Sequence, residues 1–596
     1  MTGLDSGLAA RASAWRDADP DPETRAELDQ LLAGGDAGAL TERFEGTLAF
    51  GTAGIRAAMG AGPMRMNRLV AGRVAAGLAR YLTAQDPAAA AAGIVVGYDG
   101  RAKSQVFATD AARILSRAGV RVSLLPGALP TPVLAFSVRR LGAAYGLMVT
   151  ASHNPRQDNG VKVYVRDGGQ LLPPDDEAIA AAIGAVDPLH LPEGWSEGPF
   201  DFTPADDAVP AYVTAVAAGG QRPAGTPELT VVHTALHGVG DTTLRAVLAA
   251  AGWPAPVPVA AQQHPDPAFP TVPYPNPEAA GVLDLARDTA AREGASLVLA
   301  NDPDADRLAV MVPGPGGWRT LTGDELGALL GDAVLARPRE LDGEPGGRPP
   351  VVATTVVSGS LLRRLAQAAG VRCVTTLTGF KWIARAGGDD TLVYGYEQAL
   401  GYAVRPDLVA DKDGISAALL VLRVAAQLAA EGRTLADRLD DLTLAHGVHV
   451  TRERSLRADG AGGLARLADA VKRVRKEPPR QLAGHAVTVA DLREAVPGPV
   501  DLAGGHAERC PGQPVPPTDV LIWHAGGDAR VMIRPSGTEP VLKLYAEVAW
   551  PARSRDELAS ARANAAAQAE RMLAAVAGLI DHTLSTAAIL SGLPDD

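Results

Sequence analysis

At 596 residues the chain is too long for one hydrophobic core and, at about 150 residues per domain, predicts about four. Hydrophobic residues make up 47% and charged residues 21%, an ordinary globular balance that excludes wholesale disorder. Lys and Arg total 56 against 68 Asp and Glu, and the resulting net charge of −12 gives no general basic field for a nucleic-acid backbone.

The N-terminal residues carry acids early and have no apolar core of signal-peptide length. The first block alternates alanine-rich helical stretches with β-branched runs: IVVG (94–97), RVSLL (121–125) and YGLMVTA (145–151). A second block starts at LTVVHTALHG (from Leu229), followed by a predicted helix at 241–251 and the strand SLVLA from Ser296. A third holds PVVATTVV (from Pro350), VRCVTTL (from Val371) and LVYGYE (from Leu392). Its most apolar stretch, from Ile415, is interrupted by Arg423 and Gln427, so it reads as an amphipathic helix and no membrane span. The fourth block has a basic helical segment (AVKRVRKEPPR), a proline loop near Pro511, strands and a long alanine-rich helix. That basic segment lacks interleaved aromatics and reads as a solvated helix face, not a nucleic-acid site. The predicted domains are residues 1–222, 223–346, 347–446 and 447–596. Two cysteines, Cys373 and Cys510, make no disulfide framework and fit a cytoplasmic protein.

Four constellations carry chemistry. In TASHNP (150–155) an apolar strand runs directly into Ser152 and His153, and open α/β sheets place ligands beyond strand ends. The surroundings are not G-x-S-x-G, so no hydrolase nucleophile elbow is indicated, and a plain Ser/Asn/Pro turn is the competing reading. Ten residues on, Lys162 falls on the next strand. In SLVLANDPDADRLAVMV, Asp302, Asp304 and Asp306 stand at alternate positions between two apolar strands, with Arg307 after them. An extended loop would point all three carboxylates one way, which suits a hard cation such as Mg2+. An EF-hand fails, because Arg307 and Pro313 stand where glycine and a bidentate glutamate belong. Near the C-terminus, Arg534, Ser536, Gly537 and Thr538 form a turn suited to an anion. In the third block, TLTGFKW, GYEQALGY and DKDG bring Glu397, able to accept from two sugar hydroxyls, and Lys381 and Lys412, able to address phosphate. Arg56 stands beside glycines in FGTAGIR, and GYDGRAKS adds Arg101 and Ser104. There is neither a Walker A loop nor a G-x-G-x-x-G before a helix, so no nucleotide cofactor is indicated.

These motifs in this order resemble the α-D-phosphohexomutase superfamily, which includes phosphoglucomutases and phosphomannomutases, and TLTGFKW and DPDADR look most like its phosphoglucomutase-2/phosphopentomutase branch. The resemblance implies an α/β chain: three related α/β domains with mixed sheets plus a smaller C-terminal α+β domain around a central cleft. It implies a phosphoserine at Ser152 and Mg2+ held by Ser152, Asp302, Asp304 and Asp306. Arg56, His153, Lys162, Lys412 and Arg307 become reaction-centre groups. Thr378, Gly379, Lys381, Glu397 and Arg534 to Thr538 become sugar and distal-phosphate contacts, the last on a movable fourth domain. The expected activity is a phospho-sugar mutase working through a sugar bisphosphate, with glucose the first expectation and mannose or pentose phosphates the alternatives. A serine/metal phosphatase or a non-catalytic sugar-phosphate sensor are the rival classes. The expected partners are small sugar phosphates, with no nucleic acid and no membrane, for a monomer or homodimer. One departure stands out: Ala399 lies two after Glu397, where many hexose-phosphate mutases carry a serine that touches the sugar.

Overall fold

The computed structural model describes residues 5–51, 54–85, 87–314, 316–336, 348–458, 463–493, 517–526, 529–535 and 541–590. The chain divides into two compact units, Met1–Leu321 with Ala399–Ala430, and Thr322–Gln398 with Glu431–Asp596.

The first unit holds two mixed sheets. The strands β1 (Ile55–Ala58), β2 (Ile94–Tyr98), β3 (Val122–Ala128), β4 (Tyr145–Val149), β5 (Asp158–Val165) and β6 (Thr203–Pro204) lie in the order β1-β5-β4-β2-β3-β6. Strands β2, β3, β4 and β6 run parallel, while β5 is antiparallel to β4 and to β1. All five residues of β4 are buried, as an unbroken apolar run in an inner parallel strand requires. Gly97 in β2 keeps the sheet close to its covering helix, since a Cβ there would meet Leu125 and Leu134 at 2.8 and 3.0 Å. The second sheet, β7 (Val231–Thr234), β8 (Val257–Pro258), β9 (Leu297–Asn301), β10 (Leu308–Gly314) and β11 (Gly317–Thr320), has the order β11-β10-β9-β7-β8. Here β7, β8 and β9 are parallel, and β9 and β10 form an antiparallel pair.

The second unit starts with the helix Gly323–Leu335, opened by a capping box between Thr322 and Glu325. It packs against the third sheet: a Cβ on Gly327 would meet the Tyr396 ring at 2.4 Å. This helix therefore goes with the third block, whereas the sequence reading had grouped it within 223–346. Strands β12 (Pro350–Thr355), β13 (Arg372–Thr376) and β14 (Thr391–Glu397) are parallel, with β12 between the others. Next come β15 (Gly401–Ala403) and the helix Gly414–Ala430, which return to the first unit. That helix is buried along most of its length. Among the described residues no single helix is long and apolar enough to cross a membrane.

The fourth sheet is antiparallel, with β16 (Val448–Arg457), β17 (Gln481–Leu482), β18 (His485–Asp491), β19 (Leu521–Ala525), β20 (Ala529–Pro535) and β21 (Val541–Trp550) in the order β16-β21-β20-β19-β18-β17. One face, carrying Trp523, Val531, Ile533 and Leu544, packs on the helices Gly463–Lys476 and Arg555–Leu590. The other face, carrying Ile522, Met532 and Tyr545, packs on Val356, Val357 and Leu377 of the third block. Three α/β layers and an α+β layer match the expected fold class.

Candidate active site

Strand β4 delivers Ser152 just past its carboxyl end. Its φ of 52° is a left-handed conformation that few side-chain-bearing residues adopt, a strain that the surrounding hydrogen bonds sustain. The Ser152 N–H donates to Thr150 Oγ1 at 2.8 Å, and the Thr150 hydroxyl donates to Asp99 Oδ2 at 2.7 Å. The Arg101 guanidinium clasps the loop from inside: Nη2 reaches the carbonyls of Ser152 (2.7 Å) and Asn154 (2.6 Å), and Nη1 those of Pro155 and Asp158 (both 3.0 Å). Ser104 Oγ binds Asp99 Oδ1 at 2.7 Å. Arg101 and Ser104 thus hold the serine loop in shape.

The aspartates occupy the connection between β9 and β10. The sequence reading derived their convergence from an extended loop. The structure has a turn instead, closed by the Ala305 N–H on the Asp302 carbonyl at 2.9 Å, with Ala305 at φ 55°. Because the chain doubles back, one oxygen from each of Asp302, Asp304 and Asp306 lies within 4.8 Å of the others. The N-terminus of the helix Thr131–Arg140 receives Asp304: the Thr131 N–H binds its carbonyl at 2.9 Å, and Thr131 Oγ1 its Oδ2 at 2.6 Å.

The two loops meet. Ser152 Oγ donates to Asp302 Oδ2 at 2.8 Å and lies 3.2 Å from His153 Nδ1. Lys162, on β5 opposite Met148, bridges Asp304 Oδ2 (2.7 Å) and Asp306 Oδ2 (2.9 Å). Lys412 Nζ lies 3.3 Å from Asp306 Oδ2 and 3.2 Å from Asp411 Oδ1, while Asp411 Oδ2 accepts from Tyr164 and Gln170. Arg307 Nε stands 3.8 Å from Asp306 and 4.0 Å from Asp302.

The electrostatics follow from this crowding. Burial, then the neighbouring Asp306 and Asp304, push the Asp302 carboxyl well above the usual carboxylate range. Burial acts the same way on Asp306, but Lys162, Lys412 and Arg307 outweigh it and hold that carboxyl below its ordinary value. Burial disfavours the Lys162 ammonium, yet Asp304 and Asp306 reverse the balance and raise it, so Lys162 stays charged. Burial and the cations Arg307 and Arg56 push His153 well below its usual value, leaving a neutral imidazole near pH 7. Asp304 Oδ1 and Asp306 Oδ1 are buried without a hydrogen-bond partner among the described residues. Three converging carboxylates, two of them with an orphaned oxygen, can hold a divalent metal ion.

The remaining sequence-predicted residues are placed as follows. Arg56 lies on β1 opposite Gly160. In the second unit, Thr378 Oγ1 is buried with no hydrogen-bond partner among the described residues, Gly379 has φ 114°, and Glu397 ends β14 only 9% exposed. The Lys381 Nζ sits 5.3 Å from the centre of the Trp382 ring. Arg534 lies on β20 opposite Lys543, and Ser536, Gly537 and Thr538 lie outside the described residues. Sequence reasoning missed Asp99, Thr131 and Asp411, whose contacts with Thr150, Asp304 and Tyr164 each span more than fifty residues of chain; the Pro132 that marks a helix start was the one local signal for Thr131.

Phosphoglucomutase/phosphomannomutase family profiles match residues 47–189 (alpha/beta/alpha domain I), 210–316 (domain II), 322–444 (domain III) and 521–565 (C-terminal domain). The chain belongs to the phosphoglucomutase/phosphomannomutase family. The domain III match begins at 322, in line with the packing of the helix Gly323–Leu335. A probable phosphomannomutase of Haemophilus influenzae is 40% identical over 83% of this chain and 94% of its own. A phosphopentomutase of Mus musculus is 35% identical over 93% and 92%. The structure of a phosphoglucomutase/phosphomannomutase family protein from Burkholderia thailandensis aligns with a TM-score of 0.61 over 88% of this chain and 96% of that one, at 20% identity, and shares the fold. This family membership makes the chain an isomerase of the phosphotransferase kind, a sugar-phosphate mutase, and leaves the phosphatase and the non-catalytic sensor without support.

Proposed function

We propose that the protein interconverts sugar 1-phosphates and sugar 6-phosphates through a phosphoserine at Ser152 and a sugar bisphosphate intermediate. The observation that carries this reading is the placement of the Ser152 hydroxyl 2.8 Å from Asp302, beside three converging carboxylates and the buried Lys162. Phospho-Ser152 gives its phosphoryl group to the free hydroxyl of a sugar monophosphate: the P–Oγ bond breaks, a P–O bond to the sugar forms, and the sugar hydroxyl's proton, removed by a neighbouring base, ends on the released Ser152 Oγ. The bisphosphate then returns its other phosphoryl group to Ser152. In that half-reaction the Oγ proton leaves to a neighbouring base, for which Lys162, Lys412 and His153, with its Nδ1 3.2 Å from Oγ, are the candidates. Lys162, Lys412, Arg307 and Arg56 supply positive charge around the transferring group. Mg2+ suits the Asp302, Asp304 and Asp306 oxygens, and when bound it neutralises charge on the phosphoryl oxygens. Glu397, with Thr378, Gly379 and Lys381, reads the sugar, and Arg534 with Ser536, Gly537 and Thr538 holds the distal phosphate.

Glucose phosphates are the first substrate expectation, with mannose and pentose phosphates as alternatives; the names of the two relatives above favour keeping both open. The low cysteine count supports a cytoplasmic setting. The test is Ser152→Ala. It should fold and bind sugar phosphate yet lose turnover, and intact-mass measurement should show a phosphorylated fraction in the wild type that is missing in the variant. A variant with near wild-type mutase rate would overturn the phosphoserine.

A further inference from the structure

Besides Ala305 of the aspartate turn, three buried residues of the second block adopt left-handed backbone without being glycine: Leu236 (φ 47°), His237 (φ 59°) and Phe269 (φ 45°). Strain of this kind persists only where the surroundings over-determine it, and here they do. The segment that follows β7 bears on the aspartate turn: the Val239 N–H donates to the Pro303 carbonyl at 2.9 Å, and a Cβ on Gly238 would meet the Pro303 backbone at 2.3 Å. The proline-rich segment 265–273 bears on the serine loop. The Arg101 guanidinium lies over the Phe269 ring, 5.2 Å from its centre, and the Arg156 N–H donates to the Pro273 carbonyl at 3.1 Å. His237 fastens these two segments together. Its N–H donates to the Gln262 carbonyl and its carbonyl accepts from the Asp266 N–H, both at 3.0 Å. Its Nε2 lies 2.8 Å from Thr271 Oγ1, and its ring meets the Phe269 ring edge-on with centres 6.2 Å apart. Gln262 closes the frame, accepting the Thr234 hydroxyl at 2.7 Å and donating to Thr271 Oγ1 at 2.9 Å.

We propose that His237 and Phe269 are positioning residues for phosphoryl transfer, which hold the Ser152 loop and the aspartate turn at one fixed separation through Arg101 on one side and Pro303 on the other. The inference rests on the reading of Ser152 as the phosphoserine. The two loops belong to different sheets, so their alignment is not set by strand pairing. Phosphoryl transfer depends almost wholly on positioning and on charge placed in advance, and small displacements between donor and electrostatic groups cost rate. Arg101 grips the serine loop by four carbonyls, and the Phe269 ring fixes the one face of the guanidinium that those hydrogen bonds leave unconstrained. His237 then refers that ring to the segment packed on Pro303.

The test uses the full-length enzyme with glucose 1-phosphate, glucose 1,6-bisphosphate and titrated Mg2+, and refers kcat to the fraction of Ser152 that intact mass shows to take up phosphate. The variants are Phe269→Leu, Thr271→Val, Thr271→Ser, Arg101→Met and the double variant Arg101→Met with Phe269→Leu. Phe269→Leu and Thr271→Val should each lower kcat by about tenfold, the scale of one buried polar or cation–ring contact, and raise the Mg2+ concentration for half-maximal rate. KM for glucose 1-phosphate should stay within about twofold, and Thr271→Ser, which keeps the hydroxyl, should restore the wild-type rate. Thr271→Val nearly conserves volume and carries the test if Phe269→Leu does not fold. Because Phe269 acts through Arg101, the double variant should be no slower than Arg101→Met alone. A merely structural role would lower the melting temperature while leaving kcat per phosphorylated enzyme and the Mg2+ requirement intact, and that result overturns the proposal. Losses that multiply in the double variant overturn it as well. A wild type that turns over with no phosphate on Ser152 removes the phosphoserine reading itself, and the positioning argument falls with it.

Discussion

A serine hydroxyl in water is a weak nucleophile and a weak leaving group, and Ser152 differs from an ordinary turn serine only in what surrounds it. Three of those neighbours were legible because they are local in sequence: DPDADR announces its own carboxylates. Arg101 was read as one more cation because its partners lie about fifty residues ahead, and no spacing rule connects a guanidinium to four backbone carbonyls. Two expectations belong to this scale. Asp304→Asn removes one negative charge and leaves one acceptor oxygen where Asp304 has two, one of them already taken by Lys162 and Thr131, so activity and affinity for Mg2+ should fall together; titrating activity against Mg2+ reads this, and normal metal dependence would make the loop mere structure. EDTA should inactivate the wild type, with Mg2+ restoring it better than the larger Ca2+. Arg101→Met should leave a folded protein whose kcat drops, because the 152–158 loop loses its charged clasp. At about 1.5–3 kcal/mol for a charge-assisted hydrogen bond, the loss should be at least roughly tenfold.

At the scale of elements, β2, β4, β9 and β12 follow the apolar runs within a few residues, because burial on both faces leaves an unmistakable pattern. No runs were assigned to the fourth sheet, whose β16 and β18 are largely half-buried or exposed. The metal loop shows where pattern reading stops. Alternate spacing predicted an extended segment, while the structure uses a tight turn whose geometry depends on Ala305 entering the left-handed region and on supports from elsewhere. One support is a buried chain: Asp241 Oδ1 to His233 Nδ1 (3.1 Å), His233 Nε2 to Asn301 Oδ1 (3.1 Å), and Asn301 Nδ2 to the Arg307 carbonyl (2.7 Å). Asn301 thereby ties the two ends of the aspartate turn. Burial would raise the Asp241 carboxyl, but His233, Gln263 and Arg245 hold it down at about 2. A carboxyl depressed by folding contributes stability above its unfolded value near 4 and loses that contribution as pH falls toward 2, an effect of about 2 kcal/mol for a shift of roughly two units. Urea midpoints measured from pH 7 to pH 2 should show Asp241→Asn less stable than the wild type at neutral pH, with the gap closing through that acid window. A gap that stays constant with pH would show that Asp241 contributes no charge-dependent support.

Across the whole molecule, alternating strand and helix runs pointed to successive α/β blocks, and the resemblance carried by the order of motifs implied three α/β domains and an α+β domain. How the blocks share work was not legible: the helix Gly323–Leu335 joins the third sheet through contacts with Tyr396, and the chain passes from one compact unit to the other between Gln398 and Ala399. Ala399 therefore stands at a junction, and its backbone is already committed, because its carbonyl accepts Arg307 Nη1 at 2.7 Å. A side-chain change at 399 can leave that contact in place, so its effect reports on what the side chain itself meets. Strong rejection of a wrong sugar comes from leaving a polar group unpaired, and alanine offers no such group. The wild type should accordingly turn over glucose phosphates best while keeping measurable activity on mannose and pentose phosphates. Ala399→Ser adds one donor beside the Glu397 strand end. If that donor faces the sugar, it should shift the ratio of kcat/KM values among these substrates by roughly 2- to 10-fold, the span of a single neutral hydrogen bond. A ratio unaltered across the panel would mean that position 399 takes no part in substrate choice, and sugar preference would then have to come from Glu397 and the Thr378 loop alone.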